Sequence, residues 1–422
     1  MKILVVGTGG REHALVWKLG RSPGAARIFC APGNAGTAEI AENVAISVND
    51  LNGLVRFARE NRIGLTVVGP DDPLAAGIAD LFIAEKLRVF GPTKSAARVE
   101  ASKIFAKEVM RARNIPTAEA RTFTDRKEAL QYCEKLEFPV VIKADGLALG
   151  KGVIIASDDC AARSAIDEMM IEGRFGDAGR RIVIEEFLRG TECSIHALVD
   201  GRNYRLLESA RDHKRALDGD QGANTGGMGA FSPANNWNKE LRLQFETKIM
   251  QPLISGLLEQ GITFQGLLYP GLMITSDGPR VLEFNCRFGD PETQALLPRM
   301  TSDLLPLLDA TIDGKLHTCA IEWDSRAAVT VVLASGGYPG KYEIGKTISG
   351  VDQAARLEDV RIFHAGTKRV DGELTSAGGR VLAVTALGAT LESARARAYE
   401  AASLIHFENC HYRQDIAQAA TN

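Results

Sequence analysis

The sequence predicts a multidomain protein, α/β over its first hundred residues and α+β beyond them. Three observations point there. Up to about residue 100, short β-branched runs alternate with amphipathic stretches, the rhythm of parallel βα units. After Pro116 that rhythm gives way to neighbouring strands with few helices between them. The 422 residues, 45% apolar and 24% charged, exceed one small module and can bury several cores.

The N-terminal strands are read at 3–6, 27–30, 44–48, 65–68 and 88–90. Helices are expected at 14–19, from about Asp50, from about Pro73 and from about Lys94, the last ending before Pro116. Next come a strand, a helix over 125–136 with Asp125 as N-cap and Glu128 three residues on, and two strands joined by a glycine-rich turn. Strands at 181–187 and 194–199 precede a long polar, glycine-rich segment. A helix of about 20 residues from Asn238 and strands near 266–275 and 280–284 follow. A composition break near 315–326 leads to a last small α+β unit, made of AAVTVVLA, RIFHAG, GRVLAVTAL and a helix from about Thr390.

Charge excludes some functions. With 50 Lys and Arg against 53 Asp and Glu, no field of one sign would draw the chain onto nucleic acid or a membrane surface. The scattered cysteines form neither a disulfide framework nor a thiolate zinc site, as expected of a reducing compartment. His406, Cys410 and His411 lack the further ligand a zinc site needs. The N-terminal apolar run is too short for a signal peptide, and the uncharged stretch 261–276 falls short of a membrane span of about 20 residues. A cytoplasmic location is expected.

The chemistry sits in a few segments. In VIKADGLALGKG, a strand delivers Lys143, and Gly146, Gly150 and Gly152 surround Lys151 before the next strand. Glycine spacing and the strand that follows exclude a Walker loop. What is left is a hairpin able to close over nucleotide phosphates, or simply a flexible turn with exposed lysines. In RVLEFN, alternation turns Leu282 and Phe284 inward and presents Glu283 and Asn285 together, a hard oxygen pair suited to Mg²⁺ shared with phosphates. CRFGDPETQ adds Arg287, Asp290 and Glu292 at once. The loop 210–233 carries Asp212, Lys214, Asn224 and Thr225 among glycines, a possible anion nest. RIVIEEF, ending in Glu185 and Glu186, reads as an edge strand. In GTGGREH the third glycine of a dinucleotide fingerprint is replaced by Glu12, which opposes a pyrophosphate there, although a glycine turn with Arg11 still suits a single phosphate or a sugar.

GTGGREHA, APGNAGT, VVGPDDPL, VIKADGLALGKGV, IEEFL, DHKR, NTGGMGAFSP and EFNCRFGDPETQ, in this order, resemble the phosphoribosylamine-glycine ligases (glycinamide ribonucleotide synthetases), ATP-grasp enzymes of purine biosynthesis. The resemblance runs end to end. It implies a Rossmann-like N-terminal domain (1–102), an ATP-grasp core (103–324, with a flap over about 117–190) and a small C-terminal α+β domain (325–422). It implies ligation of glycine to 5-phosphoribosylamine through glycyl phosphate, with ATP and Mg²⁺, or Mn²⁺ in its place, in a monomer. Lys103 and Lys143 would contact ATP phosphates, with Gly146, Gly150, Lys151 and Gly152 in the flap loop. Glu185, Glu186, Phe187 and Leu188 would read adenine, and Glu192 the ribose. Glu283 and Asn285 match the metal ligands.

Asp212, Lys214 and Arg287 match the region where the substrates react. Asn224, Thr225, Gly226, Gly227, Met228, Gly229, Asp290 and Pro291 would bind them, with Gly9, Gly10, Arg11 and Glu12 on the N-terminal side. Leu149 and Ala223 depart from the family pattern, which usually has a small residue and proline there. The alternatives are an ATP-grasp ligase or carboxylase with a different acid, and a nucleotide-binding scaffold without turnover.

Overall fold

A computed structural model describes residues 1–147 and 152–418; Leu149, Gly150 and Lys151 of the glycine-rich hairpin lie outside the described residues. The N-terminal sheet is parallel, in the order Glu42–Asn43, Arg27–Pro32, Lys2–Gly7, Leu65–Val68, Val89–Phe90. Its strands are apolar on both faces because both are covered: Ile3 and Val5 enter one core, Leu4 and Val6 the other. The run 44–48 is not a strand. Pairing stops at Asn43, and Val44, Ile46 and Val48 pack onto the core from an irregular segment, so the alternation there records burial without a ladder.

The stretch expected as one helix from Lys94 is two, Lys94–Ala101 and Lys103–Ala112. Extended Ser102 (φ −136°) breaks them, and its hydroxyl caps the second by accepting the Phe105 N–H. The same hydroxyl donates to Asp145 Oδ1 at 2.9 Å, which fixes Lys103 at the entrance to the flap.

The flap is a four-stranded antiparallel sheet, ordered Ala120–Phe123, Ile182–Glu186, Val140–Ala144, Val153–Ala156. Helices Arg126–Cys133 and Asp159–Met170 cover one face. The strand carrying Glu185 is therefore interior, not an edge.

A third sheet, eight-stranded, is antiparallel throughout: Gly278–Asn285, Gln265–Thr275, Thr191–Asp200, Tyr204–Asp212, Gly229–Ser232, Ala327–Ala334, Arg380–Gly388, Val360–His364. It crosses the composition break, so the C-terminal unit extends the sheet that holds the central residues. The polar segment 210–233, read as a loop, includes Arg215–Leu217 and Gln221–Asn224 as a paired hairpin, and Gly229–Ser232 inside this sheet.

Within Gly278–Asn285 the register slips: Glu283 lies opposite Gly271 and Val281 opposite Leu272, leaving Leu282 as the extra residue of a bulge. Val281 and Phe284 fill the core and Leu282 does not, which corrects its inward assignment. Helix Glu292–Arg299 escapes a sequence reading for another reason. Nearly every residue of it is buried, so it has no amphipathic stripe to betray it. Among the described residues no helix is long and apolar enough to cross a membrane.

Candidate active site

Alternation along Val140–Ala144 sends Ile142 into the flap core and Lys143 to the opposite face. There Lys143 Nζ lies 2.9 Å from Glu185 Oε2 and donates to the carbonyl of bulged Leu282, also at 2.9 Å. Lys107 approaches the other Glu185 oxygen at 3.2 Å and donates to Thr117 Oγ1 and Ala118 O. Burial pushes the Lys107 ammonium down to about 8, although Glu185 opposes the shift. Two buried cations thus face one carboxylate, leaving an excess of positive charge under the flap. Lys103 donates to Gly146 O at 2.9 Å, and burial holds it below the ordinary lysine value with Glu283 opposing.

Across the cleft, Lys214 bridges Glu192 at 3.3 Å and Glu283 at 3.7 Å. The Glu283 and Lys214 side chains keep 35% and 30% of their surface exposed, enough to reach a ligand. Burial alone would raise the Glu283 carboxyl; Lys214, Lys143, Lys103 and Arg287 outweigh it and hold the group below the usual glutamate range. Asn285 Oδ1 accepts from Arg287 NH2 at 3.1 Å, and the same guanidinium nitrogen lies 3.3 Å from Glu100 Oε1. Burial lifts Glu100 to about 7 against the pull of Arg287.

Asp212 ends the strand Tyr204–Asp212 beside these groups. Burial pushes it up to about 8; Lys214 resists, while Glu292, Glu192 and Glu283 add to the rise. A carboxyl raised on folding stabilises the protein fully below its unfolded pKa near 4, and that contribution is lost as pH climbs through the raised value. Asp212→Asn should therefore gain more in Tm at pH 8 than at pH 5 in the ligand-free protein. Paired thermal melts check this, and a gain that shrinks with pH contradicts it.

Next to Asp212, the loop 224–229 is tied to the carbonyls of residues 213 and 214. Thr225 N–H and Oγ1 both donate to Lys214 O at 2.8 Å, and Met228 N–H donates to His213 O. Gly227 (φ +113°) packs so tightly that a Cβ there would lie 2.4 Å from Pro291 Cδ. Asp290 faces Arg380 at 3.2 Å and accepts from Gln294.

At the N-terminal side, Glu12 Oε2 accepts the Gly9 N–H at 2.6 Å and Oε1 pairs with Arg11. A Cβ at Gly7 or Gly69 would come within 2.3 or 2.0 Å of the Glu12 side chain. These strand-end glycines make room for a carboxylate that closes its own helix. Arg11 NH1 donates to Phe288 O at 3.1 Å, bracing the N-terminal domain against the Asp290 turn. Gly9 and Gly10 reach that turn and its helix: their Cβ positions lie 3.3 Å from Asp290 Oδ2 and 2.6 Å from Gln294 Nε2.

The fold brings most of the expected residues to one cleft. Glu186 turns to the rim instead, where Arg280 and the Glu119 N–H each meet it at 2.9 Å; Phe187 is half-buried and Leu188 buried beside it. Gly152 precedes the return strand Val153–Ala156, and its carbonyl accepts from Ala144 N–H. Sequence reasoning missed Lys107, Glu100, Arg380 and Tyr338. Lys107 had a signal, standing one helical turn after Lys103. Also missed was a buried network in which Tyr269 OH donates to Glu292, with Ser194 Oγ 3.1 Å from the same hydroxyl and His196 stacked on the Tyr269 ring at 4.2 Å.

Three family profiles match the chain: Phosphoribosylglycinamide synthetase, N domain, over 1–100; its ATP-grasp (A) domain over 101–293; and its C domain over 328–419. The chain is 50% identical to the phosphoribosylamine-glycine ligase of Allochromatium vinosum, covering 100% of this chain and 99% of that one. It is 49% identical to that of Halalkalibacterium halodurans, covering 100% and 97%. The crystal structure of the Thermotoga maritima phosphoribosylamine-glycine ligase superposes with a TM-score of 0.86 at 34% identity, over 99% and 100% of the two chains. A biotin carboxylase domain from Hydrogenobacter thermophilus, solved with MgADP, shares the fold at a TM-score of 0.74 and 15% identity, over 97% and 91%.

Proposed function

The chain belongs to the phosphoribosylglycinamide synthetase family, and from that premise we propose that its cleft joins the glycine carboxylate to the amine of 5-phosphoribosylamine, converting ATP to ADP and phosphate. The observation that carries the reading is the meeting of Lys143, Lys103, Lys214 and Arg287 around Glu283 and Asn285. Cations of the flap and of the central sheet converge on a carboxylate and an amide oxygen from one strand. A polyphosphate supplies the negative charge this wall lacks. The two oxygens suit Mg²⁺, or Mn²⁺ in its place, shared with phosphates. Once bound, the metal neutralises charge on the phosphoryl group in transfer.

The residues divide the remaining work. Lys143 and Lys103, with the hairpin from Gly146 to Gly152 that includes Gly150 and Lys151, hold the outer phosphates. Glu185 orients Lys143, Glu186 to Leu188 line the adenine, and Glu192 takes the ribose. A glycine carboxylate oxygen attacks the γ-phosphorus, giving glycyl phosphate and ADP. The amine then attacks the carbonyl carbon, and phosphate leaves with that oxygen. Arg287 and Lys214 bear on the charge that develops. Asp212, its carboxyl raised by burial to about 8, would accept the amine proton in its ionised form.

Asn224 to Gly229, Asp290 and Pro291 form the substrate wall, with Gly9 to Glu12 closing its N-terminal side. A monomer is taken as the working unit. Of the domain limits 1–102, 103–324 and 325–422, the break at Ser102 supports the first. ADP release measured while each substrate is omitted in turn tests the reaction. Release should require glycine together with freshly generated phosphoribosylamine; release indifferent to glycine, or supported by another acid, would overturn it.

A further inference from the structure

Arg380 opens the C-terminal strand Arg380–Gly388 and reaches out of its own domain. Its NH1 donates to Gly226 O at 2.7 Å and to Asp290 O at 2.8 Å, with Gly227 O at 3.5 Å. Its NH2 lies 3.2 Å from Asp290 Oδ2. A Cβ on Gly226 would sit 2.9 Å from the guanidinium carbon, so a side chain there would push the arginine off these contacts. From the same domain Tyr338 OH accepts the Gly226 N–H at 3.1 Å. Both backbone polar groups of Gly226 are therefore held by C-terminal side chains. The Asp290 turn is tied to the same guanidinium, and Asp290 in turn faces Gly9.

We infer that Arg380 and Tyr338 form a clamp by which the C-terminal domain positions the 224–229 loop and the Asp290 turn for the two substrates. The inference rests on the proposed ligase reading. Arg380 is a positioning residue, since its contacts are protein carbonyls and Asp290. Its planar fork is what allows one side chain to serve separate carbonyls and a carboxylate; a lysine ammonium carries the charge without the fork. A loop displaced by about 1 Å loses up to 10²-fold in rate when it aligns reactants, while ATP, bound by other elements, is not affected.

The experiment compares the full-length chain with Arg380→Gln, Arg380→Lys and Tyr338→Phe. It measures kcat/KM for glycine and for phosphoribosylamine, the Kd of ATP, and amide hydrogen exchange over 224–229 and 288–292. Arg380→Gln should lower kcat/KM for both substrates about 10- to 100-fold, leave ATP Kd within about twofold, and speed exchange in those two segments alone. Arg380→Lys should recover part of the loss, and Tyr338→Phe should show a smaller one. Unchanged exchange at both segments in Arg380→Gln overturns the clamp whatever the activity. A loss of ATP affinity in parallel with the rest also overturns it, marking a general structural role. Should the unaltered chain release no ADP with glycine while exchange still responds to Arg380→Gln, the ligase reading fails and the clamp stands.

Discussion

Glu283→Gln should lower kcat about 10²- to 10³-fold, the scale on which a preorganised electrostatic contact is lost from a transition state, with the fold intact. Glu283 is kept ionised below the ordinary glutamate range by Lys214, Lys143, Lys103 and Arg287 against its burial. A charge held so firmly would serve to hold a divalent cation. The amide keeps the shape and one oxygen but removes the charge. The defect should shrink as Mg²⁺ is raised if metal recruitment limits the rate. A Mg²⁺ titration of ADP release with thermal melts checks both parts, and near-normal turnover at limiting Mg²⁺ contradicts the assignment.

Lys143→Met should act on ATP binding and stability together. Its ammonium is buried between Glu185 and the Leu282 carbonyl. Breaking a buried pair by removing one partner costs about 3–5 kcal/mol, and the retained Lys107 contact at 3.2 Å places this case at the lower end. ATP loses a cation facing its phosphates, so its Kd should rise at least tenfold. Lys143→Arg should not restore binding, because a planar fork cannot reproduce a compact ammonium in a closed space. Calorimetric titration of ATP and denaturant unfolding measure the two effects. An unchanged Kd would remove Lys143 from the phosphate site even if stability falls.

What could be read beforehand divides along physical lines. The βα rhythm, Lys143 on its strand and the Glu283/Asn285 pair are local patterns of period and composition. Long-range pairing hid the rest. The bulge at Leu282 depends on the partner strand Gln265–Thr275, so simple alternation sent Leu282 to the wrong face. The break at Ser102 depends on Asp145 accepting its hydroxyl. Glu185 looked like the end of an edge strand because its second neighbour lies over 60 residues earlier in the chain. Arg380 stands at the start of an ordinary apolar strand, and nothing near it in sequence announces contacts with Gly226 and Asp290. Glu12 was the informative exception: its carboxylate at a helix start argued against a pyrophosphate, and in the structure it takes the Gly9 N–H itself.

Cations and hard oxygens converging on the outer phosphates would activate glycine as an acyl phosphate. The most direct test runs the ADP-release assay with glycine labelled by ¹⁸O in its carboxylate and analyses the products by mass spectrometry. One label should pass into inorganic phosphate with each turnover, because the bridging oxygen departs with phosphorus when the amine attacks. Label in AMP, accompanied by pyrophosphate, would contradict the account.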